Sequence, residues 1–144
     1  MRFLSRYAHY LAWVIALLST AISLYFSDIR GFVPCNLCWY GRILMYPLVV
    51  IIGVGIIRRE RHWVAYAAPL VGAGWLLELY QSLLQWGFIS ETITKCVASV
   101  PCSAKNIDYF GFVTIPFLGF LAFTALGICL YVYWFGNSPN EKSQ

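Results

Sequence analysis

Five cysteines are spread unevenly along the 144-residue chain. Cys35-Asn36-Leu37-Cys38 is a C-x-x-C. Cys96 and Cys102 form a second pair, with five residues between them and Pro101 just before the second sulfur. Paired thiols can brace a fold, hold a metal ion or exchange electrons. A disulfide stabilises mainly by closing a chain loop, and more so when the loop is long. Bridges within such short segments would each contribute only about 2 kcal/mol, although longer bridges between the two pairs remain open. Zinc sites of four thiolates favour two tight knuckles, often with histidine. Here the second pair is wider, and neither His9 nor His62 is expected on the outer side that carries the pairs. Electron exchange suits the pattern better. C-x-x-C spacing lowers the barrier to thiolate chemistry. Exchange proceeds through mixed disulfides, so one pair can face a protein while the other faces an electron sink. The fifth, Cys129, sits among Ile128, Leu130 and Tyr131 and reads as a small hydrophobe.

Polar residues in apolar surroundings are the second signal. Arg42 follows Cys38 by four residues, which places both on one helix face. Glu78, Gln81 and Gln85 are spaced by three and four and share a face in the same way. Ionisable groups within a membrane are costly and often functional. Each has a bland alternative: Arg42 can snorkel to lipid phosphates, and Glu78 can pair with Arg42 or a tyrosine. Cys38 is followed by Trp39, so there is no C-x-x-C-H haem attachment site. A lipid-soluble acceptor such as a quinone suits a C-x-x-C at the membrane surface. Arg42 would donate to a quinone oxygen as negative charge develops there.

The elements that must position these residues are membrane spans. Hydrophobic residues make up 60% of the chain and charged residues 11%, against about 25% charged in an ordinary soluble domain. Four apolar stretches, at about 7–26, 40–57, 63–86 and 111–135, are each long enough to cross a hydrocarbon core of about 30 Å as helix. Helices rather than strands follow, because the bilayer offers the backbone no water. No linker or internal repeat interrupts them. The expectation is a single all-α integral membrane domain over 1–144, a four-transmembrane-helix bundle. The 10 Tyr, 10 Phe and 6 Trp suit membrane interfaces. The first stretch reads as a span rather than a signal peptide, since its apolar run exceeds the usual length of about 7–15 residues.

Arg2, Arg6 and the short Arg58-Arg59-Glu60-Arg61-His62 connection concentrate positive charge on one side. On the other side, Arg30, Lys95 and Lys105 are balanced by Asp28, Glu91 and Asp108. The positive-inside rule then places both termini in the cytoplasm of a multi-pass protein. The two short extracytoplasmic loops, 27–39 and 87–110, carry the Cys pairs in a compartment where disulfides persist. No basic run interleaved with aromatics favours nucleic acid.

Taken together, Cys35-Asn36-Leu37-Cys38-Trp39-Tyr40-Gly41-Arg42, the second pair, and Asp108-Tyr109-Phe110-Gly111 leading to Ile115-Pro116 resemble the bacterial disulfide bond formation protein B (DsbB) family. The likeness is to its short Gram-positive BdbC type and covers nearly the whole chain. It implies a bacterial cell-membrane thiol–disulfide oxidoreductase. Such a protein reoxidises an extracytoplasmic thioredoxin-fold thiol oxidase (DsbA- or BdbD-like) and passes the electrons to menaquinone or ubiquinone. By position, Cys96 matches the cysteine that bonds the partner, and Cys102 its mate, which exchanges with Cys35. Cys38 matches the cysteine beside the quinone, and Arg42 the quinone-binding arginine. Gln81 falls roughly where the enterobacterial type has a histidine near quinone, and Glu78 joins it as a candidate. The short second pair departs from the long insertion of that type.

Two other functions compete. One is a non-catalytic membrane scaffold with structural disulfides. The other is an exporter of reductant, which would need a thiol relay across the membrane. No cysteine lies in the cytoplasmic connection or either tail, so a relay has little to run on.

Overall fold

The computed structural model describes residues 2–31, 36–88 and 114–136. Cys35, Cys96 and Cys102 lie outside the described residues, as do residues 32–35 of the first cysteine-bearing loop, nearly all of the second, and the Asp108–Gly111 segment. All regular structure described is helical. Helix α1 spans Arg2–Leu24 and runs on into a π-helical turn, Tyr25–Ile29. Helices α2 (Asn36–Arg58), α3 (Trp63–Gln85) and α4 (Ile115–Gly136) follow.

The helices form a ring in chain order: α1 packs on α2, α2 on α3, α3 on α4, and α4 closes back on α1. Pairs across each interface show the antiparallel register. Trp13 reaches Val49, Cys38 meets Gln81, Trp75 meets Thr124, and His9 stacks near Tyr133. This is an up-down-up-down bundle. The α2–α3 turn is tight enough to place Arg59 at φ +53°.

Three helices are long and apolar enough to cross a membrane among the described residues: 7–29 (α1 with its π turn), α2 and α4. Helix α3 has 23 residues, but its inner face buries Glu78, Gln81 and Ser82. Its polar content, concentrated where it meets the other helices, sets it apart from its apolar neighbours.

Packing follows membrane logic, in which close approach rather than exclusion of water holds helices together. Ala8, Ala12 and Ala16 recur every fourth residue on the buried face of α1. Gly55 lies against Trp63, and Gly74 against Phe123. Large apolar side chains such as Val50, Ile57, Tyr66, Leu76 and Ile128 point outward, as a lipid-facing surface requires. Cys129 is buried in the core with Phe123, Leu126 and Leu130, in keeping with a small hydrophobe. Pro47 and Pro69 sit inside helices, which membrane bundles tolerate because neighbours resatisfy the freed backbone groups.

Candidate functional site

Helix α2 starts at Asn36, so Cys38 belongs to its first turn rather than to a loop before it. Leu37 is buried against Leu84 of α3, with Cys38 and Tyr80 packed beside them. That contact turns the start of α2 toward α3 and brings the Cys38 sulfur to the polar face of that helix. Gln81 Nε2 donates to Cys38 Sγ at 3.1 Å. A donor held on sulfur suits the charge that sulfur carries when it attacks or leaves in disulfide exchange.

Arg42 lies one turn further along α2 and turns to α1. Its Nη1 donates to Ser27 Oγ at 3.2 Å and its Nη2 to the Ser23 carbonyl at 3.2 Å. Ser27 Oγ donates in turn to Asp28 Oδ1 at 3.1 Å. The guanidinium carbon also sits 5.5 Å from the Trp39 ring centroid, within cation–π range. The π turn ends α1 at the level of Arg42, and wide turns of this kind are common at functional sites. Arg42 is therefore anchored on two sides, and part of its donor set is used before any ligand arrives.

Glu78 is 9% exposed and reaches across the bundle between two glycines. A Cβ at Gly41 on α2 would stand 2.5 Å from Glu78 Oε1, and one at Gly119 on α4 would stand 2.9 Å from Oε2. The missing side chains on both neighbours make the space for the carboxyl. Among the described residues no ion pair or hydrogen bond engages that carboxyl, so its partner in the bland reading, Arg42, is committed elsewhere.

Cys38, Arg42 and Glu78 all open onto one cavity of about 290 Å³. Ligand pockets start at about 300 Å³. Most of its wall is apolar, with Phe26, Met45, Ile115 and Pro116 among the lining residues. Ile22 and Leu118 line it too and are 51% and 47% exposed, so the cavity reaches the bundle surface between α1 and α4. Thr20 lines the cavity, and its hydroxyl is buried with no hydrogen-bond partner among the described residues. Gln81 is fully buried and touches Cys38 without lining the cavity.

Several of these positions are absent from the residues singled out by sequence. Ser19, Thr20, Ser23 and Ser27 all line the cavity from α1. The every-fourth spacing of Ser19, Ser23 and Ser27 was a visible signal, since it puts three hydroxyls on one face of an otherwise apolar span. Gly41 and Gly119 carried no such sign, because a glycine declares its role only through what approaches it.

Residues 5–134 match the family of disulfide bond formation protein DsbB. The chain belongs to this family. It is 46% identical over 114 residues to disulfide bond formation protein C of Bacillus subtilis (strain 168), covering 79% of this chain and 83% of the relative. It is 43% identical over 119 residues to a probable disulfide formation protein C of Halalkalibacterium halodurans, covering 82% and 86%. A probable disulfide formation protein of Coxiella burnetii is 44% identical over 124 residues, covering 84% and 83%. No solved structure matches the chain.

Proposed function

We propose that this protein is a membrane thiol–disulfide oxidoreductase that reoxidises an extracytoplasmic thioredoxin-fold thiol oxidase and delivers the electrons to a membrane quinone, so supporting disulfide formation in secreted proteins. The observation that carries the reading is the shared cavity: a cysteine of a C-x-x-C, an anchored arginine and an unpaired carboxyl open onto one apolar space at one end of the bundle. Family membership and relatives named for disulfide formation supply the thiol chemistry. The acceptor is argued from the residues themselves. The apolar walls suit a ring, and the spare donors of Arg42 suit its oxygens. The lateral opening between α1 and α4 suits an isoprenoid tail. A bound quinone supplies a two-electron, two-proton acceptor.

In this reading Cys96 forms the mixed disulfide with the partner, Cys102 resolves it, and the disulfide passes to Cys35–Cys38. Cys38 faces the acceptor, with Gln81 holding its sulfur and Arg42 placing positive charge where negative charge develops. Helix α3 serves as the fourth span. Both termini and Arg58–His62 face the cytoplasm of a bacterial cell.

The purified protein, mixed with a reduced thioredoxin-fold oxidase and a soluble quinone, should bleach quinone absorbance in step with oxidase oxidation. Cys96→Ser should abolish that turnover, while a small dithiol still drives quinone reduction through Cys35–Cys38. Oxidation of the partner without quinone loss, or quinone reduction that survives Cys38→Ser, would reject the scheme.

A further inference from the structure

We propose that Glu78 is the proton carrier of the site: its carboxyl takes the proton leaving the Cys38 thiol and hands it to the acceptor bound in the cavity. The inference rests on the proposed electron transfer and assigns it a residue. Three observations support it. Glu78 is nine-tenths buried, yet its carboxyl has no hydrogen bond or ion pair among the described residues. An unpaired buried carboxyl is costly to keep and is seldom retained for packing alone. Second, it is placed with care. Gly41 and Gly119, on two different helices, leave the room it occupies, so α2, α3 and α4 all converge on one functional group. Third, it lines the same cavity as Cys38.

The chemistry requires such a group. When the Cys35–Cys38 disulfide forms, two S–H bonds break, one S–S bond forms, and two electrons and two protons leave. Both electrons and two protons end on the quinone oxygens as two O–H bonds. The Cys35 proton goes to bulk water, and the second quinone oxygen takes one from the same source. Cys38 faces the cavity instead, where apolar walls provide little water. Glu78 forms an O–H bond with the Cys38 proton and then breaks it as the acceptor gains its own, ending as it began. Other groups facing the carboxyl do not compete for this role. From α2 these are Cys38, Arg42 and Tyr46; from α1 come only the hydroxyls of Ser19, Thr20, Ser23 and Ser27; from α4 there is no titratable side chain among the described cavity-lining residues. A guanidinium does not release its protons in a protein, so it cannot relay one.

The test uses the full chain with Cys38 as its only cysteine, so that alkylation reads one sulfur and no quinone is needed. If Glu78 exchanges protons with Cys38, the rate of alkylation against pH shows a second titration step. Glu78→Gln should remove that step, and Glu78→Asp should restore it. In the otherwise native chain, Glu78→Gln should slow dithiol-driven quinone reduction about a hundredfold, the low end for a general acid–base group, while quinone affinity stays within about twofold. An alkylation profile unchanged by Glu78→Gln overturns the proposal. So does a loss of quinone affinity that accounts for the slower rate, since Glu78 would then be part of the binding wall. Should the native chain reduce no quinone at all, the acceptor reading fails, while the alkylation profiles still decide whether Glu78 serves Cys38.

Discussion

Replacing Arg42 by methionine tests the electrostatic core of the site. Methionine keeps an unbranched apolar stem but removes the positive charge and every donor. In the structure the guanidinium does two jobs. It ties α2 to α1 through Ser27 Oγ and the Ser23 carbonyl, and it faces the cavity beside Cys38. Losing a preorganised donor to developing negative charge typically costs about 2.7–4 kcal/mol, or roughly a hundred- to a thousandfold in rate. The lower figure applies here, because two of the donors are already spent on α1 and the side chain is only half-buried. Quinone-linked turnover should therefore fall about a hundredfold. Arg42→Lys keeps the charge but loses the planar fork, so it should fall between native and methionine. Ser27→Ala separates anchoring from charge. It removes one anchoring hydrogen bond, worth about 0.5–1.5 kcal/mol, and should slow turnover roughly two- to tenfold. The assay follows quinone absorbance with a small dithiol as donor, alongside a single-turnover exchange between the protein partner and Cys96, which should stay normal. If Arg42→Met leaves both quinone affinity and turnover intact, the arginine is a helix tie and membrane anchor only, and the acceptor does not bind where the cavity places it.

Two glycines should answer differently to the same substitution. A Cβ at Gly119 meets only the movable end of Glu78, so Gly119→Ala should leave stability in detergent within about 1 kcal/mol while lowering quinone-linked turnover by displacing the carboxyl. A Cβ at Gly74 collides with the Phe123 ring, which is rigid and 1% exposed. Gly74→Ala should lose about 1–3 kcal/mol in denaturant unfolding yet keep its activity per folded molecule. In intact cells, an impermeant maleimide added after reduction should label Cys35, Cys96 and Cys102 but not a cysteine introduced at Arg59; the reverse pattern would invert the proposed orientation.

The sequence alone determined that the chain would be helical and membrane-bound, because long apolar runs in a bilayer have no other way to satisfy their backbone. It also determined that Cys38 and Arg42 would share one face of the second helix, since a spacing of four allows nothing else. The same logic joined Glu78 to Gln81 on the third. These are local properties, set within one or two turns. What lies across from each face was decided only by tertiary structure. Ser27 and Ser23 of α1 hold Arg42 from 15 and 19 positions away, and Gln81 reaches Cys38 from 43. The bland reading of Glu78 paired it with Arg42 or a tyrosine, but Arg42 turned to α1 instead. The Glu78 carboxyl came to rest between Gly41 and Gly119 on different helices. Helical periodicity specifies which residues share a face, but the neighbour a face meets depends on how four helices close into a ring, and that is settled by the summed packing of small residues against large ones over the whole bundle.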